Sequence, residues 1–350
     1  MSPIKRRTFI KSSAGAVLSA AFFDSTTTAK TSFKDNNNAD KLKEVDHVTV
    51  TLIMDNYTDV IIPGNEVAHR RPQGSHPFDN PLPIAEHGFC ALIETEKNGK
   101  KSNVLLDTGA SPTGILYNMD VLGLNPQNIQ TIAISHSHTD HTFGLAALLD
   151  KMDAKQVPVV LHPDACLDKK AAFPSGEVHL PTFRLSDSQQ RKAEFIKQTE
   201  PTLLADNTML MSGEIKRTTD FEKGFPFNHT LRDGTWEHDP LMMEDQCITV
   251  NVKNKGLVLI TGCGHAGIIN SVLHAKSITG IKDVYMILGG FHLTGKIFEP
   301  IIPDTVEGLK EINPRWVLPG HCSGWIAMHR IEQAMPEQFI QTCVCTKMVL

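Results

Sequence analysis

Short apolar runs that end in a small residue and then a histidine recur along the chain. The run at residues 129–134 is rich in isoleucine and leads into serine and histidine, which predicts a strand followed by a turn. Apolar runs at residues 257–261, 284–288 and 315–318 lead in the same way into glycine-bearing turns and histidine. Because strand ends meet at one edge of an open α/β sheet, we expect these histidines to share one site.

The remaining pattern predicts further strands and helices. Alternating or β-branched segments predict strands at residues 48–54, 89–95, 103–106 and 246–252. Helical patterns occupy residues 114–123, 142–149, 267–278 and 305–312. Proline, glycine, histidine and asparagine are frequent in residues 62–84, which predicts a long loop.

Residues 164–245 are less regular and contain polar stretches with proline and glycine. Long irregular segments in compact domains are often lids or binding loops, so one interpretation is a substrate-covering insertion. A plain surface excursion fits the same composition equally well, and both interpretations stay open.

The bulk composition is that of a globular protein. The chain has 350 residues, with 41% hydrophobic and 21% charged residues, enough for one large domain or two small ones. A net charge of −5 does not indicate the basic surface that nucleic-acid binding requires, so nucleic acid is not an expected partner. The seven cysteines are odd in number and lack zinc-ribbon spacing, which argues against a disulfide scaffold.

The first residues have the order of a signal peptide: a basic head, an apolar middle and then small residues. The apolar stretch at residues 12–23 is short, and it is rich in serine, alanine and glycine, so it does not suit a bilayer span. Arg6 and Arg7, followed by Phe9 and Lys11, resemble the twin-arginine export signal. An ordinary secretory signal and an uncleaved anchor are the alternatives.

This interpretation divides the chain into a signal peptide at residues 1–29, a flexible linker at residues 30–45 and one domain at residues 46–350. The linker segment is polar and unpatterned. We therefore expect an exported protein, periplasmic or extracellular after cleavage. It would engage the twin-arginine export machinery and have no stable membrane span in its mature form.

Residues 135–141, Ser-His-Ser-His-Thr-Asp-His, hold three histidines and one carboxylate, the ligands that borderline divalent metals favour. In an extended chain, residues two apart point the same way, so His136 and His138 can bind one ion together. Asp140 and His141 follow the expected end of the strand, where a turn can direct them to a second ion. Such a cluster favours a dinuclear hydrolytic site over a structural zinc site, which four ligands usually close.

From about residue 47 to about residue 325, the chain resembles the metallo-β-lactamase superfamily. The motif His-Ser-His-Thr-Asp-His at residues 136–141 is highly specific to it, and residues 106–109 match its first aspartate-bearing turn. Other segments are similar to its dihydropteroate-synthase-like branch, named for a dihydropterin-methyl-ribofuranosylaminobenzene-phosphate synthase. These segments are residues 85–89, 212–215, 261–270, 289–293 and 319–322.

The resemblance implies an α/β fold of the αββα sandwich type, with two β-sheets face to face and helices outside. It also implies one or two divalent metal ions at one edge. Carried over by position, His136 and His138 would bind the first ion, and Asp140, His141 and His321 would bind the second. Zinc is favoured, and iron and manganese stay open.

The sequence departs from the family pattern at the bridging aspartate that most members carry. Cys263 stands near that position, and His265, two residues later, is expected to complete the ligands of the first ion. Either Cys263 or His292 is expected to supply a further ligand, and the choice between them stays open. Asp107 is interpreted as the support of a histidine ligand, and His87 either as a similar support or as a solvated loop histidine.

These observations favour an exported hydrolase that uses metal-activated water on a small ester, lactone or phosphoester. Asp140 would orient that water or take its proton. A transferase that acts on a pterin- or phosphoribose-like substrate is the alternative that the branch name suggests. A non-catalytic metal or ligand binder is the third hypothesis.

Overall fold

The computed structural model describes residues 42–70, 81–153 and 156–350. The strands of these ranges are, in chain order, β1 (Glu44–Val45), β2 (His47–Met54), β3 (Ala68–His69), β4 (Cys90–Lys97), β5 (Lys100–Leu106), β6 (Ile132–Ala133), β7 (Val157–Leu161), β8 (Lys169–Phe173), β9 (Gly176–Leu180), β10 (Ala193–Lys197), β11 (Thr202–Leu204), β12 (Met209–Met211), β13 (Asn228–Arg232), β14 (Thr235–His238), β15 (Cys247–Val252), β16 (Gly256–Thr261), β17 (Val284–Gly290), β18 (Trp316–Gly320) and β19 (Lys347–Val349). The helices are α1 (Pro112–Val121), α2 (Thr139–Thr142), α3 (Leu145–Lys151), α4 (Asp187–Gln190), α5 (Ile268–Thr279), α6 (Ile302–Ile312) and α7 (Trp325–Ala334).

The described strands form two large sheets and one small sheet. The first sheet has the order β10-β7-β6-β5-β4-β2-β19-β3. The second sheet has the order β11-β12-β15-β16-β17-β18, with β1 also paired to β15. The small sheet has the order β14-β13-β8-β9.

The apolar core lies between the two large sheets. Val50 and Ile93 of the first sheet share one cluster with Ile260 and Leu288 of the second, and all four side chains are fully buried. Burying an aliphatic side chain of this size contributes about 1.5–3 kcal/mol, so this layer is a main source of stability.

Helices cover the outer faces of both sheets. Ile115 of α1 and Leu148 of α3 pack with the outer side chains of the first sheet. Val272 of α5, Leu309 of α6 and Ile331 of α7 pack on the second sheet. The layers are therefore helix, sheet, sheet and helix, which confirms the predicted αββα sandwich.

Strand ends of both sheets meet at one edge. In the second sheet, β16, β17 and β18 are parallel, with Thr261 opposite Gly289 and Gly290 opposite Gly320. In the first sheet, β5 and β6 are parallel, with Leu106 opposite Ala133. The turns that carry the histidines therefore leave their strands at the same level, as the recurring sequence pattern predicted.

Gly262 allows the two sheets to approach each other at this edge. A Cβ atom there would collide with the side-chain oxygens of Ser135 and Asp107 in the first sheet. Gln246 N–H also donates to the carbonyl of Ser135 at 3.0 Å, which joins the sheets beside the same residue. A larger residue at position 262 would separate the two halves of the edge.

Two predicted elements differ in length from those observed. Regular strand covers only β6 of the strand predicted at residues 129–134, although backbone hydrogen bonds continue on either side, from Leu105 N–H to the carbonyl of Thr131 and from Ile134 N–H to the carbonyl of Val160. The helix predicted at residues 142–149 is instead divided into α2 and α3. Gly144 lies at the division, where a Cβ atom would collide with the carbonyl oxygen of Thr108.

The folded part of the chain begins before residue 46. Leu42 and Val45 are buried, and β1 pairs in parallel with β15, so residues 42–45 belong to the domain rather than to the predicted linker. Residues 1–41, which include the predicted signal peptide, lie outside the described residues. Within the described ranges, we find no helix with the length and apolar character that a membrane crossing requires.

The segment at residues 164–245 is not one separate insertion. Its strands β10, β11 and β12 extend the two large sheets, whereas β8, β9, β13 and β14 form the small sheet. The small sheet alone is therefore the part that stands outside the sandwich, and Leu180 at the end of β9 reaches the cavity described below.

A buried ion pair joins the small sheet to the histidine-rich segment. Lys169 Nζ of β8 lies 3.0 Å from Glu244 Oε2, and both side chains are 1% exposed. The other carboxylate oxygen of Glu244 accepts hydrogen bonds from the backbone N–H and the hydroxyl of Ser137. The small sheet therefore helps to hold the loop that carries His136 and His138.

We predict that Lys169→Met lowers the free energy of unfolding by about 3–5 kcal/mol, because it leaves the Glu244 carboxylate buried without its partner. Urea unfolding followed by circular dichroism measures the loss. Lys310→Met is the control: it removes an exposed pair with Glu307 and should cost about 1 kcal/mol or less. Equal losses in the two variants would contradict a stabilising role for the buried pair.

Candidate metal centre

Three imidazoles from two sheets form the first group of the site. His136 and His138 follow β6, and His265 follows β16. Their ring centroids are 4.6 Å apart for His136 and His138, and 4.8 Å apart for each of these with His265. The sandwich thus brings together side chains that are well over one hundred positions apart in the sequence.

Several ring nitrogens of this group find no hydrogen-bond partner among the described residues. Nε2 of His136, Nε2 of His138 and both nitrogens of His265 are buried and unpaired among the described residues. Leaving several buried polar atoms unpaired is costly, and native structures rarely do so. A divalent cation bound by imidazole nitrogen satisfies them, so these residues fit a metal ion.

A second group of donor atoms lies beside the first. Single donor atoms of Asp140, His141, Cys263 and His321 all lie within 4.8 Å of one another. Nε2 of His141 is 3.1 Å from Nε2 of His321 and 3.2 Å from Sγ of Cys263, and Asp140 Oδ2 is 3.2 Å from Nε2 of His321. Carboxylate, imidazole and thiolate in one small volume suit a second divalent ion.

Cys263 belongs to both groups, since its Sγ also lies within 4.8 Å of donor atoms of His136 and His265. It therefore stands between the two candidate ion positions. His292 falls instead in a group with the sulfur atoms of Cys263 and Cys322. Its ring packs on that of His265 at 3.9 Å, so the geometry favours Cys263 over His292 as the additional ligand.

Asp107 organises the histidine-rich segment from the end of β5. Its carboxylate accepts hydrogen bonds from the backbone N–H and the hydroxyl of Ser135, each at 2.7 Å. It also lies 2.7 Å from Nδ1 of His141. Nδ1–H donation to a carboxylate leaves Nε2 as the ligand atom and fixes the ring orientation. In the structure Asp107 thus contacts a candidate ligand without joining the donor groups.

The end of β2 orients His321 in a similar way. Nδ1 of His321 lies 2.9 Å from Oδ1 of Asn56, and its backbone N–H donates to the carboxylate of Asp55 at 2.8 Å. His321 has a φ of +47°, so these contacts hold a backbone conformation that non-glycine residues rarely adopt. Sequence reasoning missed both Asp55 and Asn56, although polar residues at the end of a strand are a signal that could have found them.

His87 stands at the outer side of the site. Its side chain is 71% exposed, and its Nε2 is 3.5 Å from Asp140 Oδ2. Its Nδ1 accepts a hydrogen bond from the Asn56 amide at 3.0 Å. His87 is therefore not part of the donor groups, and the structure places it beside Asp140 at the solvent boundary.

Burial sets the charge state of the first group. Burial lowers the pKa of His138 to about 3, and it lowers the pKa of His136 and His265 well below the ordinary value, with neighbouring histidines adding to the effect. Imidazoles with such pKa values are neutral near pH 7, which is the form that binds a metal.

The second group combines opposite charges. Burial by itself raises the pKa of the Asp140 carboxyl, but the neighbouring His141 and His321 outweigh it and lower that pKa below its ordinary value. Burial lowers the pKa of His141, but the carboxylates of Asp140 and Asp107 outweigh it and raise that pKa to about 9. Asp140 is thus held as a carboxylate, which is the form that acts as a ligand.

The second group opens into a cavity of about 670 Å³. Asp140, Cys263 and His321 line it, together with the aromatic side chains of Tyr57 and Trp325. A structural metal site is usually closed by its ligands, whereas a catalytic one keeps a position open to substrate. The volume is in the range that small-molecule ligands occupy, about 300–1,000 Å³.

The structure therefore brings together most of the residues that the sequence singled out. Six of them share the two donor groups or their ring contacts: His136, His138, Asp140, His141, His265 and His321. Cys263 belongs to both donor groups, and His292 lies beside them. Asp107 contacts Nδ1 of His141, and His87 is not part of either donor group.

Comparison with known proteins shows the family to which this chain belongs. The sequence model described as "Metallo-beta-lactamase superfamily" matches residues 84–220. A 7,8-dihydropterin-6-methyl-4-(beta-D-ribofuranosyl)-aminobenzene-5'-phosphate synthase of Methanocaldococcus jannaschii is 32% identical over 267 residues, which are 73% of this chain and 87% of that protein. The chain belongs to the metallo-beta-lactamase superfamily.

Two further proteins are similar to this chain. An uncharacterised protein of the same organism is 31% identical over 252 residues, which are 71% of this chain and 89% of that protein. A solved structure, described as a metal-dependent hydrolase of the beta-lactamase superfamily, has a TM-score of 0.65 at 23% identity and covers 86% of this chain and 98% of its own. At that identity, the structural likeness shows the metallo-beta-lactamase fold alone.

We predict that His138→Ala weakens metal binding by more than about 100-fold, because loss of a residue that merely supports a ligand already costs about 10–100-fold. Elemental analysis of the purified protein, with competition against a chelator, measures the loss. His329→Ala is the control, since that side chain is 61% exposed and lies outside the donor groups. A His138→Ala protein with the full metal content would refute the assignment of the first group.

Proposed function

We propose that this protein is a metal-dependent hydrolase that acts on an ester, lactone or phosphoester of a small molecule. The observation that carries this proposal is that the donor group of Asp140, His141, Cys263 and His321 opens into a cavity of substrate size. Open coordination positions in a shaped cavity are typical of catalytic rather than structural metal sites.

The proposed ligands follow the two donor groups. His136, His138 and His265 would hold one ion, and Asp140, His141 and His321 would hold a second, with Cys263 between them. Zinc suits imidazole, thiolate and carboxylate together, and iron or manganese are the other candidates.

A divalent ion supplies a Lewis acid and lowers the pKa of water to near neutrality. The chain's own residues position the reaction. Asp140 lines the cavity and would orient the attacking water by accepting its hydrogen bond. His292 lines the same cavity, and its ring would donate to a leaving oxygen.

A transferase reaction is the second candidate, and one observation favours it. The relative that is 32% identical over 87% of its own length is named as a synthase, and its name contains a dihydropterin and an aminobenzene group. The same donor groups would then orient one substrate while an amine acceptor, rather than water, attacks it. Dependence of turnover on an added acceptor separates this reaction from hydrolysis.

The proposed hydrolase activity can be tested with chromogenic carboxylic esters and phosphodiesters. We expect turnover by the zinc-loaded protein that a chelator abolishes and added zinc restores. Asp140→Asn should lower kcat by about 10²–10⁴-fold, which is the usual contribution of a positioned carboxylate, while His47→Ala, at the exposed start of β2, should keep full activity. Turnover that appears only with an aromatic amine acceptor would replace the hydrolase by the transferase.

We also propose that the protein is exported through the twin-arginine route, because Arg6 and Arg7 precede a short apolar segment. Changing both to lysine should retain the protein in the cytoplasmic fraction, since lysine keeps the charge but not the guanidinium pair. Lys30→Gln, beyond the apolar segment, should leave export unchanged. Cell fractionation and immunoblotting measure the outcome, and normal export of the double-lysine variant would favour an ordinary secretory signal.

A further inference from the structure

We propose that the cavity binds its substrate through a planar aromatic ring, ideally a nitrogen heterocycle, which stacks on the exposed indole of Trp325 beside Tyr57. The reaction that follows binding rests on the proposed function. The binding step itself is inferred from the geometry of the cavity wall. Trp325 and Tyr57 both line the cavity that also contains Asp140 and His321.

The indole of Trp325 is unusually open for so large an apolar side chain. Trp325 is 57% exposed, whereas most of the large apolar residues near the metal centre are buried. Leaving an aromatic surface of this size in water costs free energy unless a ligand or partner covers it. Because it lines the cavity, a bound ligand can cover it.

Tyr57 gives the wall its shape. Its ring centroid lies 6.0 Å from that of Trp325, and the two ring planes meet at 86°. Perpendicular aromatic rings form a corner, in which a flat ligand can stack on one ring while it meets the edge of the other. The phenol of Tyr57 donates to Asp59 at 3.0 Å, which fixes the ring in place.

The backbone also holds Trp325 rigidly next to the metal centre. Gly324 has a φ of +79°, and a Cβ atom there would collide with the Thr294 side chain. Thr294 in turn donates to the carbonyl of Cys322 at 2.8 Å, in the turn that carries His321. The indole at the start of α7 is thus set by the same turn as a candidate metal ligand, only four positions away.

Polar groups beside the rings favour a heterocycle over an alkyl chain. Asn56, Thr294, Gln341 and Thr342 also line the cavity and offer amide and hydroxyl groups. A ring nitrogen or an exocyclic amino group of a heterocycle can add a hydrogen bond to these groups, which an alkyl chain cannot do. The dihydropterin in the name of the 32% identical relative is consistent with this class.

The test measures binding directly, with zinc-loaded protein and two probes: a simple pterin and octanoate. Fluorescence anisotropy of the pterin and isothermal titration of octanoate give the two dissociation constants. We expect the wild-type protein to prefer the pterin. Trp325→Leu should weaken pterin binding about tenfold or more, and Trp325→Phe should restore most of it. Trp236→Phe, in the small sheet and outside the cavity lining, should bind like the wild type.

Tyr57→Leu provides a second, independent variant, and metal content with circular dichroism verifies the folding of each protein. Equal pterin affinity in Trp325→Leu and Trp236→Phe would overturn the inference, and so would tighter binding of octanoate than of pterin. The proposed hydrolase is judged separately, by turnover of an aliphatic phosphodiester that the ring wall does not contact. Turnover of this phosphodiester without pterin binding would refute only the proposed ring site. Pterin binding that depends on Trp325, without turnover of any tested ester, would refute only the proposed hydrolase.

Discussion

The site depends on buried imidazole nitrogens that find no hydrogen-bond partner in the described part of the chain. Nε2 of His136 and His138 and both nitrogens of His265 are enclosed at one edge of the sandwich. A purely structural core would pair such atoms or replace them with apolar groups, because unpaired burial is costly. The cation that satisfies them also explains why carboxylates and a thiol stand next to these rings.

The fold is organised to hold this edge together. Parallel strands of the second sheet end at the same level, and the glycine-bearing turns after them bring His265, His292 and His321 toward the first sheet. Asp107 fixes the opposite side by contacting both Ser135 and His141. The αββα sandwich thus supplies two rigid sheet edges. The candidate ligand residues lie on the short turns that follow the strands at these edges.

Much of this could be predicted from the sequence, because it depends on local pattern. The runs that end in glycine or serine and then histidine predicted both the strands and their common edge, and residues 136–141 pointed to a metal site. The interior position of Lys169 and Glu244 could not be predicted, since each looks like a surface residue until the small sheet is placed. Asn56 follows a strand end, which is a usable signal, but its partner could not be predicted, because its contact with His321 joins positions that are far apart in the chain.

In the proposed function, the cavity adds substrate specificity to the metal centre. The donor groups would determine which ions the protein can hold, whereas Tyr57 and Trp325 would determine which substrate surfaces the cavity accepts. Trp325 follows its strand by only a few residues, so a short segment links the metal centre to the ring wall. Fold alone assigns no substrate, so the proposed specificity rests on these wall residues.

The most direct test of the central claim is anomalous X-ray diffraction from crystals of the zinc-loaded protein, measured on both sides of the zinc absorption edge. We expect one anomalous peak about 2.0–2.1 Å from Nε2 of His136, Nε2 of His138 and a ring nitrogen of His265. We expect a second peak in the group of Asp140, His141 and His321, with Cys263 Sγ between the two. Absence of anomalous density among these side chains, in protein that remains folded, would contradict it.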